Sequence, residues 1–184
     1  MKRIGTIFII AASLLLAACS GNDESKAKEL VTNFYQMHQS ARPSGALTLK
    51  GLITFRHFFS VPLFDLLKDV SVAEEARAAQ TAGDPLPPLV EGDIFTANPG
   101  GASTFRILQC NMRERESECS VELIYSDAKL KAPSKWTDKV LLTRDARGWI
   151  IDNIQYAGGQ APMRSGNLQD TLRQLLKRDT APLQ

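Results

Sequence analysis

The sequence predicts an α+β fold, in which N-terminal helices pack on a curved antiparallel sheet of about four strands and a C-terminal helix follows. Two observations predict it. Apolar residues recur at helical spacing before residue 80, whereas from residue 103 they alternate with polar residues, as in half-buried strands. Helices followed by a run of strands are typical of layered α+β domains. We expect one domain over residues 26–179 and a frayed tail over residues 180–184.

The first helix is predicted over residues 26–40, where one face is apolar, and an Arg-Pro-Ser-Gly turn ends it. His38 falls at the edge of that face, which favours a structural histidine over a ligand. Residues 49–70 are predicted to be helical with an interruption at Pro62, and residues 72–79 continue as a short helix. The phenylalanines of this region predict either core packing or an apolar ligand pocket.

Four strands are predicted at residues 103–110, 119–125, 136–143 and 149–156. In the last strand, alternation places Ile150, Ile154 and Tyr156 on one face and Trp149 and Ile151 on the other. Apolar residues on both faces indicate a central or well-covered strand. Asn167 is the expected N-cap of a final leucine-rich helix.

The N-terminus predicts a lipoprotein signal peptide over residues 1–18. Two basic residues precede an apolar run that is too short to cross a bilayer, and Leu16-Ala-Ala-Cys19 follows, which resembles a bacterial lipobox. In such signals Cys19 receives fatty-acid chains and becomes the new N-terminus. We expect a membrane anchor at Cys19 and a flexible tether over residues 19–25. Ser20, which is not acidic, favours the outer membrane. The alternative is an ordinary secretory signal with a chance cysteine.

The other two cysteines, Cys110 and Cys119, predict a disulfide, because an even pair in an oxidising compartment normally pairs. A metal or redox pair is the alternative. Cleavage before Cys19 removes Lys2 and Arg3 and no acidic residue, which leaves 20 basic and 20 acidic residues. A neutral mature chain of about 165 residues is long enough for a real core and argues against a nucleic-acid partner.

A resemblance rests on two segments, Gly-Asp-Ile-Phe-Thr at residues 92–96 and Gly-Trp-Ile-Ile-Asp-Asn-Ile at residues 148–154. Their order and separation resemble the bacterial domain-of-unknown-function family 3828, whose members are lipoproteins and periplasmic proteins. The resemblance implies a cone-like α+β fold of the nuclear-transport-factor-2-like or cystatin-like type and no established catalytic residues. Some such proteins look like immunity proteins against cell-wall-targeting toxins. The cysteine pair and the leucine-rich last helix depart from the family pattern.

Chemistry-bearing motifs are few. The sequence has no serine-hydrolase elbow, zinc-protease motif, calcium loop or phosphate-binding glycine loop, so we predict no enzyme activity, no cofactor and no metal. The turn and pocket candidates are Asp93, Trp149 and Asp152. Asp93, Asp152, Tyr125 and Tyr156 are the only acid–base candidates, and a turn held by its own carboxylate explains Asp93 equally well.

The charged hairpin tip at residues 111–118 is the sharpest candidate site. Arg113, Glu114, Arg115 and Glu116 alternate in charge on a loop that the disulfide clamps at its base. Arginines are enriched at interfaces, and a stiff loop loses less entropy on binding. The simpler interpretation is a solvated turn. We expect an envelope protein that binds a protein partner, such as a toxin. The alternative is a lipoprotein that binds a small ligand or maintains the envelope, using a cone-shaped apolar pocket.

Overall fold

The computed structural model describes residues 11–80, 87–128, 131–159 and 162–179, without the side chains of residues 11–20 and Gln80. This part of the chain is an α+β domain. Helices α1 (Ala11–Ala41), α2 (Leu49–Phe55) and α3 (Val61–Gln80) precede strands β1 (Thr104–Asn111), β2 (Glu116–Tyr125), β3 (Ser134–Asp145) and β4 (Gly148–Gln155). Helix α4 (Leu168–Asp179) follows. The predicted fold class is therefore confirmed. Predictions for residues 1–10, 81–85 and 180–184 lie outside the described residues.

Helix α1 begins well before the predicted start at residue 26. Residues 20–25, predicted as a flexible tether, are helical, and this prediction is wrong for their local structure. Two ion pairs explain the difference. Asp23 Oδ2 lies 2.6 Å from Arg144 Nη2 on β3, and Glu24 pairs with Lys28 one turn further on at 2.7 Å. A sequence rich in small polar residues is thus fixed to the sheet by a contact that local composition does not show.

The break predicted at Pro62 occurs two residues earlier, at residues 59 and 60. A 3₁₀ turn (Arg56–Phe58) follows α2, and the Ser60 hydroxyl then accepts a hydrogen bond from the Leu63 N–H at 3.2 Å. Ser60 therefore caps α3. Pro62 lies in the first turn, where its missing N–H breaks no helical hydrogen bond.

The sheet is antiparallel with the strand order β1-β2-β3-β4. Strand β4 is an edge strand and not a central one. Its outer edge is covered, since the Ser60 N–H donates to the Ile151 carbonyl at 2.8 Å. The prediction that Ile151 and Ile154 lie on opposite faces of β4 is wrong. A register shift beside Asp152 puts Ile151 opposite Leu142 and Ile154 opposite Val140, so both isoleucines face the core.

The phenylalanines of the first half form the core and not a pocket. The Phe34 ring lies within 6.2 Å, between ring centroids, of four other rings in edge-on contacts, and these belong to Phe55, Phe58, Phe59 and Phe95. All five side chains are nearly inaccessible, at 3% exposure or less. The space between the helices and the sheet is thus filled by the protein's own aromatic groups. The expected apolar ligand pocket has no counterpart among these rings.

Helix α4 packs on α3 and β4 of the same chain. Asn167 caps it as predicted, because its Oδ1 accepts the Asp170 N–H at 2.9 Å. Leu168 and Leu172 are fully buried. None of the described helices is long and apolar enough to cross a membrane.

Candidate functional site

Two ends of the domain carry the candidate residues, and α1 joins them. We call the first the tip end, formed by Asp23, residues 112–115 and residues 144–148. The second is the cleft end, formed by residues 38–44, residues 98–103 and Ser126. Asp23 and Arg42 are separated by 19 residues of α1, a rise of about 28 Å at 1.5 Å per residue.

The cleft end contains a cavity of about 660 Å³, a usual size for a small-molecule site. At this cavity His38 Nε2 lies 2.6 Å from Asp93 Oδ2, and both side chains are 3% exposed. The remaining walls are mostly polar or small, formed by Gln39, Arg42, Pro43, Ser44, Pro99, Gly100, Gly101, Ala102, Ser103, Tyr125 and Ser126. The predicted candidate Asp93 therefore lies in a cleft, and it has a partner that the sequence did not reveal.

Asp93 is held by the turn that follows it, as the sequence predicts. Its Oδ1 accepts the Phe95 N–H at 2.8 Å, and the Thr96 hydroxyl lies 3.3 Å from its Oδ2. Gly101 (φ +82°) must be glycine, because a Cβ there would lie 3.1 Å from Oδ2. Arg164 donates from the other side to the carbonyls of Asp93 and Glu91.

The contact with Asp93 uses one nitrogen of the His38 ring. His38 Nε2 faces Asp93 Oδ2, while Asp93 Oδ1 accepts the Phe95 N–H. The other ring nitrogen, Nδ1, is buried and has no hydrogen-bond partner among the described residues. The expectation of a fully satisfied structural histidine is thus wrong for one of its two nitrogens.

Asp138 is the main buried group that the sequence analysis missed. It is fully buried on β3, where Oδ1 accepts the Ala157 N–H at 2.8 Å and Oδ2 accepts the Ala97 N–H at 2.8 Å. The Trp136 Nε1–H also donates to Oδ2 at 3.0 Å. Burial raises the pKa of Asp138, and the three N–H donors oppose that rise. A charged residue in the core-facing phase of an alternating strand was the available signal.

Two tyrosines lie close to these carboxylates. The Tyr35 hydroxyl is buried with no hydrogen-bond partner among the described residues, and burial, then the charges of Asp138 and Asp93, raise its pKa well above the ordinary value. The Tyr156 hydroxyl donates to the Ile94 carbonyl at 2.6 Å, and burial raises its pKa too. Both hydroxyls therefore stay protonated at neutral pH, and that of Tyr156 acts as a donor.

The tip end contains the predicted disulfide. Cys110 and Cys119 face each other across β1 and β2, are bonded, and have Cα atoms 4.0 Å apart. The turn is shorter than the predicted 111–118, because β1 continues to Asn111 and β2 begins at Glu116. Cross-strand bonding explains this extension, since the Asn111 amide donates to Glu118 Oε1 at 3.1 Å.

All four predicted contact residues of the tip, Arg113, Glu114, Arg115 and Glu116, are exposed. None forms an ion pair with a described residue. Arg113 and Glu116 line a shallow hollow of about 320 Å³ on the outer face of the sheet, and Asp152 also lines it. The structure therefore brings three sequence-predicted residues together there, while Asp93 lies at the other end.

Asp152 and Trp149 have structural partners at the tip end. Asp152 Oδ1 accepts the Ser60 hydroxyl at 2.6 Å, which joins β4 to the start of α3. Trp149 is 7% exposed, and the Arg144 guanidinium lies 4.7 Å from its ring centroid. Neither residue lines the cleft. The Cys19 side chain, the predicted lipid attachment site, lies outside the described part, and its backbone belongs to α1.

No group of three or more histidine, cysteine, aspartate or glutamate residues in the described ranges could hold a metal ion. Comparison with known proteins gives no match, since no family model matches the chain and no curated protein or solved structure is detectably similar to it. The resemblance to family 3828 and the associated cone-like superfamily stays a prediction.

Proposed function

We propose that this chain is a lipid-anchored envelope protein that works by binding a protein partner and not by catalysis. In its most specific form, the proposal is an immunity protein of the outer membrane. It would bind a cell-wall-targeting toxin in the periplasm and block its active site. The observation that carries the proposal is the hairpin tip. Its four charged side chains are exposed and have no ion-pair partner among the described residues, although the loop itself is rigidly held.

Three contacts hold the tip. The disulfide closes its base, the Arg113 N–H donates to Ser117 Oγ at 3.0 Å, and the Arg144 N–H donates to the Arg115 carbonyl at 3.0 Å. A loop ordered before binding loses less conformational entropy on forming a complex. Arginine forks next to carboxylates also favour a partner surface of alternating charge over a uniformly charged one.

The position of the tip fits a membrane-anchored binding protein. Asp23, which pairs with Arg144 beside the tip, is four residues from Cys19, about 6 Å along a helix. A lipid on Cys19 would hold the tip end close to the bilayer surface. A partner bound at the tip would then be captured next to the membrane.

The acid–base candidates Asp93 and Asp152 have structural roles that support a non-enzymatic protein. Asp93 Oδ1 holds the Phe95 N–H and Oδ2 holds His38, so both oxygens are used inside the fold. Asp152 is likewise bound to Ser60 and, at 3.3 Å, to the Gln169 amide.

Charge reversal at the tip tests the partner proposal. Secreted effectors encoded next to this gene are expressed in the periplasm of cells that carry the wild-type chain or Arg113→Glu/Arg115→Glu. We expect the wild type to protect cells from one effector, and the variant to lose at least about 10-fold in affinity for it because two interfacial arginines become like-charged repulsions. Growth and the dissociation constant of the purified pair are measured.

The matched control is Lys50→Glu/Arg178→Glu, which makes the same charge change at exposed positions of α2 and α4. It should protect like the wild type. If the tip variant protects cells as well as the wild type does, the tip is not the surface that binds the effector. Full resistance of cells lacking this gene to every neighbouring effector would remove the immunity role.

The anchor has its own test. We expect the native protein to fractionate with outer membranes and its first residue to be a fatty-acylated Cys19, while Cys19→Ala moves to the soluble periplasm. Mass spectrometry of the N-terminus and membrane fractionation measure this. An unmodified Cys19 in an uncleaved chain would contradict the predicted localisation.

A further inference from the structure

The cleft end contains a positive charge that has no partner in the described part of the chain and that the proposed function does not use. Three residues lining the cleft can carry charge, namely His38, Asp93 and Arg42. His38 and Asp93 bind each other at the floor. The Arg42 guanidinium makes no hydrogen bond or ion pair with any described residue. Among the described residues, Arg42 is therefore a cation without a partner beside a cavity of about 660 Å³.

The backbone of Arg42 is strained. Its φ is +46°, and its N–H donates to the His38 carbonyl at 2.8 Å, so it is the left-handed residue that ends α1. Glycine or asparagine normally occupies this position because a larger side chain is crowded there. Arg42 is exposed, so packing of its side chain does not explain the arginine. Strained backbone of this kind occurs frequently at ligand sites.

The floor of the cleft contains a second unsatisfied group. His38 Nε2 is used by Asp93, and Nδ1 is buried without a partner in the described part of the chain. This nitrogen is closed to solvent, so Arg42 is the exposed one of the two groups and the one that a ligand in the cleft contacts.

The walls offer side-chain hydroxyls, and several of their backbone amides are bonded within the protein. The Gly101 N–H donates to the Asn98 carbonyl at 2.9 Å, and the Ser126 N–H donates to Ser103 Oγ at 3.0 Å. The Ser44, Ser126 and Tyr125 hydroxyls surround the cavity. Recognition in this cleft would thus rest on one guanidinium and several hydroxyls.

We infer that the cleft binds a small, hydroxylated anion, with Arg42 pairing with its anionic group and the hydroxyl-bearing walls contacting the rest. A guanidinium forms paired hydrogen bonds with either a carboxylate or a phosphate, which is the shared chemistry of the two possible ligand types. The site is independent of the tip and of the anchor, so a negative result for the cleft does not contradict the proposed function, and the reverse also holds.

Titration of the mature protein in detergent micelles tests the inference. The probes are D-glucuronate, its neutral counterpart D-glucose, and inorganic phosphate, each followed by backbone amide NMR. We expect D-glucuronate or phosphate to shift amides around Gln39, Ser44, Ser103 and Ser126 with millimolar affinity, and D-glucose to bind at least about 10-fold more weakly. The stronger of the two anions identifies the ligand type.

Arg42→Asn separates binding from folding. Asparagine tolerates the left-handed conformation, so we expect a rise in Tm of about 1–3 °C together with an affinity loss of at least about 10-fold. Arg178→Gln makes the same change of net charge outside the cleft and should bind the anion like the wild type. Amide shifts that persist in Arg42→Asn, that spread over other basic surfaces, or that are absent for both anions would overturn the inference, and a fall in Tm would remove the argument from strain.

Discussion

The tip end and the cleft end of this domain are stabilised in opposite ways, although β2 and β3 run through both. At the tip end a disulfide and a partly exposed ion pair fix the chain from outside, since the charged atoms of Asp23 and Arg144 are 2.6 Å apart. At the cleft end buried carboxylates fix it from inside, with Asp138 joining two loops to the sheet.

The difference teaches what each end can offer a partner. Charged side chains at the tip are free to point outward because the covalent bond holds the loop without them. Most polar atoms at the cleft form hydrogen bonds within the protein. Among the described residues, the Arg42 guanidinium and His38 Nδ1 are exceptions. The tip is thus suited to a protein surface, and the cleft is suited to a small polar molecule.

The largest expected effect is at the cleft end. Asp138→Asn should lower the free energy of unfolding by about 2–4 kcal/mol, because the amide turns an NH₂ group toward buried N–H donors and leaves at least one unsatisfied. Urea unfolding measures the change.

Glu122→Gln is the matched control for Asp138→Asn. Glu122 lies on the outer face of neighbouring β2, where it pairs with Arg106 and Lys135. Neutralising Glu122 should therefore lower the free energy of unfolding much less than neutralising Asp138 does. Equal losses in the two variants would show that the cleft end does not depend on its buried carboxylate.

Removal of the disulfide should have the next largest effect. Cys110→Ala/Cys119→Ala opens a loop with a sequence separation of nine, which predicts a loss of about 2–3 kcal/mol in the chain-entropy account. Hydrogen exchange should accelerate at residues 111–118 more than around Asp93. A uniform increase at both ends would contradict the division into two separately held regions.

Local sequence patterns predicted the helices and strands, but they did not predict the long-range contacts. Helical and alternating spacing predicted α4 and the four strands, because each depends on neighbours in sequence. The His38–Asp93 pair joins residues 55 positions apart, and nothing in either neighbourhood indicates the other. The β4 register shift escaped for a related reason, since strict alternation assumes a strand without a bulge.

The candidate site was only partly predictable for the same physical reason. The charged tip could be predicted from the sequence, because a solvent-exposed charge needs no partner elsewhere in the chain. The cleft depends on Arg42, which looks like part of an ordinary helix-ending turn, and on Asp138. The phase of Asp138 between Trp136 and Val140 was the one sequence signal of a buried carboxylate.

A smaller effect tests whether the N-terminal turns of α1 belong to the tip end. The Asp23–Arg144 pair is partly exposed, so Asp23→Ala should cost less than about 1 kcal/mol of global stability. Its local effect should be clearer, with faster amide exchange at residues 20–25. Glu24→Ala, which removes only the pair with Lys28, is the control and should change less. Unchanged exchange in Asp23→Ala would mean that this ion pair does not hold the helix.

The smallest effects are pH-dependent and should have opposite signs at the two ends. Burial raises the pKa of Asp138, so the native state binds this proton more tightly than the unfolded chain does. Acidification therefore favours native wild type, and the stability difference between wild type and Asp138→Asn should widen as pH falls through the native titration range of Asp138.

At the tip end, hydrogen bonds from Asn111 and then Lys139 lower the pKa of Glu118. Its stabilising contribution is present at neutral pH and is lost as the carboxylate is protonated, so the difference between wild type and Glu118→Gln should narrow on acidification. Urea titrations between about pH 7 and pH 3 measure both differences. If the stability difference between wild type and Asp138→Asn also narrows on acidification, the three N–H donors lower the pKa of Asp138 by more than burial raises it. Both ends would then hold their carboxylates as anions.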